Sequence, residues 1–334
     1  MSFSEDNKNK IWKNLFELIM QNDSCTLKNL NSIDSGKEIY AMKICKTDII
    51  DKLLELQIDN QNIVKPYIDP IGKLIMILIP QSSKFFINLF CCKITMEKIY
   101  NKFAKYGLAI EGCFNIEPIT MIPTFYQGYE YGTKNMLNMK GENMHTKRSF
   151  LVIDNHNIIK IINDDELKLY EPKGVNVQYI EGFRLYENTK PFMDSSTMKN
   201  VKVKINGSQN NINGSNVTID YNKLKIKIND SYYDFNKIGS DVNFVYDTMF
   251  NMNEGLFVFA IDMSNNIFMM YHKHIDYYNI MLLLNMFGCK DAILLCNSPN
   301  VNIIWKENGY NTYNKTDFVG NPKKILSNVI TFSG

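Results

Sequence analysis

The pattern of apolar and polar positions divides the chain into a helix-bearing start, a strand-rich middle and a late helix–strand unit. Residues 8–20, KNKIWKNLFELIM, bring Ile11, Leu15, Leu18 and Ile19 onto one helical face, with Trp12 and Phe16 beside them. A strand over 38–45 and a short helix over 48–56 follow. KLIMILI and FFINLFCCKI are apolar runs of strand length, separated by the turn-forming PQSSK. Thr95 stands where an N-cap belongs, before a helix whose apolar residues Met96, Ile99, Tyr100, Phe103 and Ala104 share one face. Gly107 is placed to end that helix as a left-handed cap, and LAIEGCFN follows as a buried strand running into a glycine turn.

From Ser149 onward a period of two dominates. FLVIDNHNIIKII predicts a hairpin around Asn155, His156 and Asn157. VKVKIN, VTIDYN and LKIKIN alternate as half-exposed strands do, and GLFVFAIDMSNNIFMMY predicts a hairpin turned at Ser264–Asn266. Asp276 caps a helix through Phe287 that is apolar nearly all round and therefore buried, with Gly288 as its stop. DAILL, NVNIIW and ILSNVITF supply the closing strands. MEKIYNKFAKYG-LAIEGCFN and YYNIMLLLNMFG-CKDAILLCNSPN thus share one plan: helix, glycine, buried strand, turn of small residues. The expectation is an α+β fold, a mixed β-sheet core with two packed helices. Both turns should emerge at strand C-termini, where ligands bind in α/β sheets.

Composition narrows the classes. A chain of 334 residues with 45% hydrophobic and 22% charged residues can bury a full core. Its 37 basic against 35 acidic residues are too even for a nucleic-acid or membrane-surface protein. Lys202, Lys204, Lys225 and Lys227 form an alternating stripe better read as a solvated sheet face than as a nucleic-acid contact. The first residues lack the basic tip and apolar run of a signal peptide, and no apolar stretch is of bilayer length, so the expected location is the cytoplasm, with no membrane partner. Seven cysteines, none in a C-x-x-C pair, read as small apolar core residues. The abundance of Asn, Ile and Lys indicates an AT-rich coding genome.

The two turns resemble motifs of the phosphodiester glycosidase (uncovering-enzyme-like) family. That family carries Ala-x-Asn-Gly-Gly-Phe-Phe after one helix and Gly-x-x-Asp-Ala-hydrophobic-Asn-Leu-Asp-Gly-Gly-Gly-Ser after another. The first is similar to Ala109–Asn115, and the second to Gly288, Asp291, Ala292 and Leu295. The resemblance covers roughly residues 63–332, which implies a glycosidase-like domain over 63–334 and an N-terminal helical and strand extension over 1–62. At the positions where the family keeps its chemistry this chain departs from it. Glu111 replaces an Asn beside Gly112 and puts a negative charge where a phosphodiester would sit. Leu294 replaces another Asn, and Cys296, Asn297, Ser298, Pro299 and Asn300 replace the Asp, the glycines and the Ser. Glycine lets amides approach an anion unobstructed, whereas Pro299 has no N–H to give. Losing one donor aimed at developing charge costs about 10²–10³ in rate. The expectation is therefore a catalytically inactive scaffold with no cofactor, a structural and self-associating component such as one of a virus particle or occlusion. The alternative is an active hydrolase of glycosyl-phosphodiester or nucleotide-like substrates that uses Glu111, Asp291 and His272 as substituted groups.

Three further features carry chemistry on paper. His272 and His274 would share one face of a strand as a metal pair, with Asp262 or Asp276 as third ligand, although two exposed histidines at a strand end explain them as well. Cys296 beside a histidine would imitate a thiol nucleophile, against the simpler reading of a buried thiol. Pro123–Gly132, PTFYQGYEYG, is a tyrosine-rich loop suited either to stacking on a sugar or to packing on a neighbouring subunit.

Overall fold

The computed structural model describes residues 10–29, 38–45, 48–57, 72–83, 85–103, 107–111, 149–154, 156–169, 177–191, 256–275, 277–297, 301–306 and 325–333. It also describes residues 66, 68 and 323 and short strands within 115–131, 200–246 and 316–319. Its helices are α1 (Lys10–Met20), α2 (Asp48–Gln57), α3 (Met96–Phe103), α4 (Asp164–Lys168) and α5 (Tyr277–Met286). The strands begin with β1 (Thr26–Asn29), β2 (Tyr40–Ile44), β3 (Leu74–Ile79), β4 (Phe86–Thr95), β5 (Leu108–Glu111), β6 (Asn115–Ile116), β7 (Ile119–Thr120), β8 (Thr124–Tyr126) and β9 (Tyr129–Tyr131). They continue with β10 (Ser149–Ile153), β11 (Ile159–Asn163), β12 (Gln178–Glu187), β13 (Lys190–Pro191), β14 (Asn200–Ile205), β15 (Ser208–Asn213), β16 (Val217–Asp220), β17 (Lys225–Ile228) and β18 (Ser231–Asp234). Then come β19 (Val242–Tyr246), β20 (Leu256–Asp262), β21 (Ile267–His272), β22 (Cys289–Asn297), β23 (Ile303–Lys306), β24 (Thr316–Val319) and β25 (Ile325–Ser333).

The class is α+β, and every ladder among the described residues is antiparallel. Two sheets make the core. The larger has twelve strands, nine of them along the path β1-β2-β3-β21-β20-β22-β12-β10-β11 with β13, β8 and β9 paired off it, and the smaller has the order β24-β23-β5-β25-β4. Alternate residues of the large sheet face opposite ways. Met42, Met76, Val258 and Met270 pack with α1, α2 and α5, while Ala41, Ile77, Phe259 and Met269 pack against Leu89, Ile110, Trp305 and Ile330 of the small sheet. The far side of the small sheet is covered by Met96, Ile99 and Tyr100 of α3. The layers therefore run helices, sheet, sheet, helix. This order explains why LIMILI and LFVFAID show no polar alternation: both of their faces are buried. The two helix–glycine–strand units end up in different sheets, β5 in the small one and β22 in the large one.

The strand β12 pairs with β22 through residues 183–186 and with β10 through residues 178–182, so the β10–β11 hairpin folds over the end of the sandwich. Its tip closes the edge of β4. The Ile87 N–H donates to Asn157 Oδ1 at 2.8 Å, Asn157 Nδ2 donates to the Phe85 carbonyl, and the Leu89 N–H donates to Gln178 Oε1 at 2.9 Å. Amides of an exposed edge would otherwise template pairing with another chain.

The N-terminal residues enter the same core. Strand β2 pairs with β3 from Tyr40↔Leu78 to Ile44↔Leu74. Trp12 of α1 stacks on Phe287 at 4.7 Å between ring centroids and meets Phe268 edge-on at 5.4 Å. The hairpins expected around Asn157 and Asn265 are present, and both residues take positive φ, 63° and 59°. The tyrosine-rich stretch expected as a loop instead contains the small hairpin β8–β9, paired from Thr124↔Tyr131 to Tyr126↔Tyr129. Its tyrosine side chains lie outside the described residues. Gly107 also corrects an expectation: it is not left-handed. A Cβ there would stand 1.9 Å from the Phe332 carbonyl oxygen, so glycine is needed because β25 passes too close. Gly288 does end α5 with φ +64°.

Candidate functional site

Glu111, before the first turn, and Asn302, after the second, meet in the small sheet. Strand β5 is buried along its whole length and lies between β23 and β25, with Glu111 as its last residue, 2% exposed. After β22 the chain leaves the large sheet and enters β23, which runs antiparallel to β5 from Ile303↔Ile110. This crossover lays Asn302 against Glu111. The Glu111 N–H donates to the Asn302 carbonyl at 2.8 Å. In return Glu111 Oε2 accepts the Asn302 N–H at 3.1 Å and Asn302 Nδ2 at 2.6 Å. The carboxylate at the first turn thus fastens the exit of the second. Cys296 and Asn297 pair with Phe257 and Leu256 at the end of β22, and their side chains lie outside the described residues. So do Gly112, Ser298, Pro299 and Asn300 altogether.

Asp291 does not join them. It lies opposite Ile261, six positions before Asn297 and therefore about 20 Å away along the strand. Arg184 Nη2 donates to Asp291 Oδ1 at 3.0 Å, and the Asn188 N–H donates to the same oxygen at 3.2 Å. The Arg184 side chain is 6% exposed, and its Nη2 also stands 3.6 Å from Glu187 Oε1. Asn188 and Thr189 both take positive φ, 51° and 67°, a conformation that costs a β-branched threonine most. Asp291 and the Lys290 carbonyl, which accepts the Thr189 N–H at 2.8 Å, hold this turn.

The histidine pair takes another form than the one expected. Strand β21 ends at His272, and His274 lies in the following turn. The His274 backbone N–H donates to His272 Nδ1 at 3.0 Å, so that lone pair is occupied and a neutral ring carries its proton on Nε2. The ring is fully buried against Gly72, where a Cβ would lie 2.6 Å from Cε1 and Nε2. Asp262 stands at the turn end of the β20–β21 hairpin, whereas His272 pairs with Leu256 at the other end, about 20 Å away. It therefore cannot be a shared third ligand, and Asp276 lies outside the described residues. Among the described residues no group of three His, Cys, Asp or Glu is placed to hold a metal. His272 does share the end of the large sheet with Asn297, two strands away across β20.

Asp262 has a different task. Its Oδ2 accepts Trp12 Nε1 at 3.1 Å and Asn266 Nδ2 at 2.8 Å, and its Oδ1 accepts the N–H groups of Ser264 at 2.8 Å and Asn266 at 2.9 Å. Burial pushes its carboxyl above the usual carboxylate range, against the opposing pull of those four bonds. Burial likewise raises the Cys289 thiol, reinforced by the charges of Asp291 and Asp262 and opposed by Arg184. Cys25, Cys45 and Cys289 are free thiols.

Sequence reasoning missed a groove at the other end of the sandwich, near Asp291. It has a volume of about 810 Å³ and lies between the β3–β4 turn, the β10–β11 tip, the β20–β21 turn and the start of β22. No local motif marks it, because its walls come from four separate hairpins and strand ends.

No family model matches the chain, and no curated protein does. Among solved structures it is similar to the catalytic domain of zebrafish N-acetylglucosamine-1-phosphodiester alpha-N-acetylglucosaminidase auto-inhibited by its pro-peptide, with 9% identity and a TM-score of 0.47, over 93% of this chain and 87% of that one. It is also similar to a hypothetical protein from Synechocystis, with 10% identity and a TM-score of 0.38, over 92% of this chain and 64% of that one. A protein from Burkholderia pseudomallei described as exported gives 7% identity and a TM-score of 0.40, over 99% and 89%. These are distant likenesses, and none transfers a residue or an activity to this chain. Among the described residues no helix is long and apolar enough to cross a membrane.

Proposed function

We propose that this chain is a catalytically silent, self-associating structural protein on a phosphodiester-glycosidase-like scaffold. The observation that carries the reading is the bonding of Glu111. A general acid or base must meet a proton of its substrate, whereas this carboxylate is buried and accepts two bonds from Asn302. The other ionisable groups of a substituted hydrolase site are occupied in the same way. Asp291 is paired with Arg184 about 20 Å from the turn, and His272 Nδ1 accepts a backbone amide. Self-association is suggested by the 20 Phe, 19 Tyr and 18 Met residues, apolar bulk enough for subunit contacts as well as a core. The Asn-, Ile- and Lys-rich composition is what suggests a viral particle or occlusion as its setting.

Two measurements test this. The purified chain should release no chromophore from a panel of chromogenic phosphodiester glycosides. Turnover that disappears in Glu111→Ala would instead establish a working hydrolase. Light scattering across a concentration series should show a large or concentration-dependent mass, and one monomeric mass throughout would reject self-association.

A further inference from the structure

Two free thiols meet where the N-terminal layer joins the large sheet. Cys25 stands one residue before β1, and Cys45 stands one residue after β2. The ladder pairs Thr26 with Lys43, which carries Cys25 opposite Ile44 and makes Cys45 the next residue along. Cα atoms directly opposite each other in such a ladder are about 4.5–5.5 Å apart, and consecutive ones about 3.8 Å. The two cysteines are therefore roughly 6 Å apart at Cα, within the span of about 4.4–6.8 Å that a disulfide bridges.

Direction matters as much as distance, since neighbours along a strand face opposite ways. At Cys45 that alternation has stopped. Its N–H donates to Cys25 Sγ at 3.4 Å, so the chain turns over the Cys25 sulfur as it leaves β2 for α2. Cys45 then packs against the same helix-side core that holds Cys25 and Ile44. Burial separates the two thiols. Cys25 is 8% exposed, whereas Cys45 is half-buried and within reach of a small oxidant. Cys289 is 3% exposed, and burial raises its thiol, which keeps it inert.

We propose that Cys25 and Cys45 are an oxidisable pair whose disulfide staples the N-terminal layer together, Cys45 reacting first and Cys25 resolving. With oxidised glutathione as electron acceptor, the Cys45 thiolate attacks one sulfur of the glutathione disulfide. That S–S bond breaks, and one glutathione leaves. The Cys25 sulfur, having given up its proton, then attacks the Cys45 sulfur, which forms the protein disulfide and expels the second glutathione. Two protein thiols are oxidised, one glutathione disulfide is reduced to two glutathione thiols, and the two cysteine protons end on those thiols. The cysteines lie 20 positions apart, so the bond closes a loop that contains β1 and β2, with α1 and α2 attached at its two ends. Closing it restricts the unfolded chain, which favours the folded one. The proposal does not depend on the chain being catalytically silent or self-associating.

Incubating the native full chain with oxidised glutathione tests it. The remaining thiols are alkylated in denaturant, and the chain is digested without reductant for peptide mass mapping. The expected product is the peptide bearing Cys25 joined to the one bearing Cys45, with Cys289 recovered alkylated. The urea midpoint of the oxidised chain should lie about 0.5–1 M above that of the reduced chain. Cys45→Ser, a change at the half-buried position, should lose that difference and leave Cys25 without glutathione. Cys25→Ser should stop at a glutathione mixed disulfide on Cys45. Absence of the joined peptide from the native chain overturns the proposal, as does its appearance only after unfolding in urea. So does a mixed disulfide that persists on Cys45 in the wild type. A midpoint that oxidation leaves unchanged or lowers also overturns it, and so does a rise that survives in Cys45→Ser, which assigns the effect to other cysteines.

Discussion

Gly107 and Gly288 occupy equivalent places in the sequence, each between a helix and a buried strand, yet the structure needs them for different reasons. Gly288 supplies a left-handed residue, so Gly288→Ala should cost about 1 kcal/mol. Gly107 supplies space, since a Cβ would collide with the Phe332 carbonyl across the β5–β25 ladder. Gly107→Ala must push that ladder apart and should cost more, about 3 kcal/mol. Urea midpoints of the two variants check the order, and equal losses would refute it. The sequence shows a glycine in each place but not the strand 225 positions later that decides the first. Asp262 carries the pH prediction of this scale. Its folded-state pKa is raised above the ordinary value of 3.8, so the folded chain holds this proton more tightly than the unfolded one. Its contribution to stability is therefore full below 3.8 and is lost as pH rises through the raised value. Asp262→Asn removes that slope, but its single carboxamide oxygen can keep only one donor pair, so either Trp12 Nε1 and Asn266 Nδ2 or the Ser264 and Asn266 N–H groups lose their acceptor, at a cost of about 1–3 kcal/mol for each group left unpaired. The advantage of the wild type over this variant, read from unfolding midpoints, should be largest at the acid end of the window and shrink above it.

Local periodicity made individual elements legible. The faces of α1 and α3, the two hairpins turned at Asn157 and Asn265, and the fully buried runs of β3 and β20 follow from spacing alone, because neighbours in sequence decide them. Pairing was less legible. Nothing in KLIMILI says that β2 lies on one side of it and β21 on the other, or that β5 and β22 belong to different sheets. The candidate site was less legible: the shared plan predicts a turn after each buried strand, but the contact of Glu111 with Asn302 follows from the β5–β23 pairing, the distance of Asp291 from the length of β22, and the bonding of His272 from a turn beyond its strand. The expected division at 62/63 is where pairing matters most. Strand β2 fills one side of β3, and Ile11, Trp12, Leu15 and Ile19 complete the helical layer over the large sheet. A chain beginning at residue 63 would expose the β3 edge and the apolar faces of Met76, Phe268 and Phe287, so it should show no cooperative urea transition by circular dichroism and should aggregate. A sharp transition and a monodisperse product would show that residues 63–334 are an independent domain.

At the scale of the molecule the question is whether four layers behave as one. The large sheet contributes opposite faces of the same strands to both main cores, so Val258 and Phe259 are adjacent residues in different cores. Unfolding one core then requires strands that the other also needs. The chain's two tryptophans allow this to be measured, because Trp12 lies in the helix-side core and Trp305 between the sheets. Trp305→Phe leaves a chain reporting on the helix side, and Trp12→Phe leaves one reporting on the inter-sheet side. In each variant the fluorescence transition should coincide with the circular dichroism transition of the same protein, the mark of a two-state change. Trp12→Phe should also have the lower midpoint expected from removing the Asp262 bond, worth about 1–3 kcal/mol, while its transition stays single. If the Trp12 signal instead melts ahead of the dichroism in Trp305→Phe, the helical layer opens by itself, and the shared strands do not couple the cores.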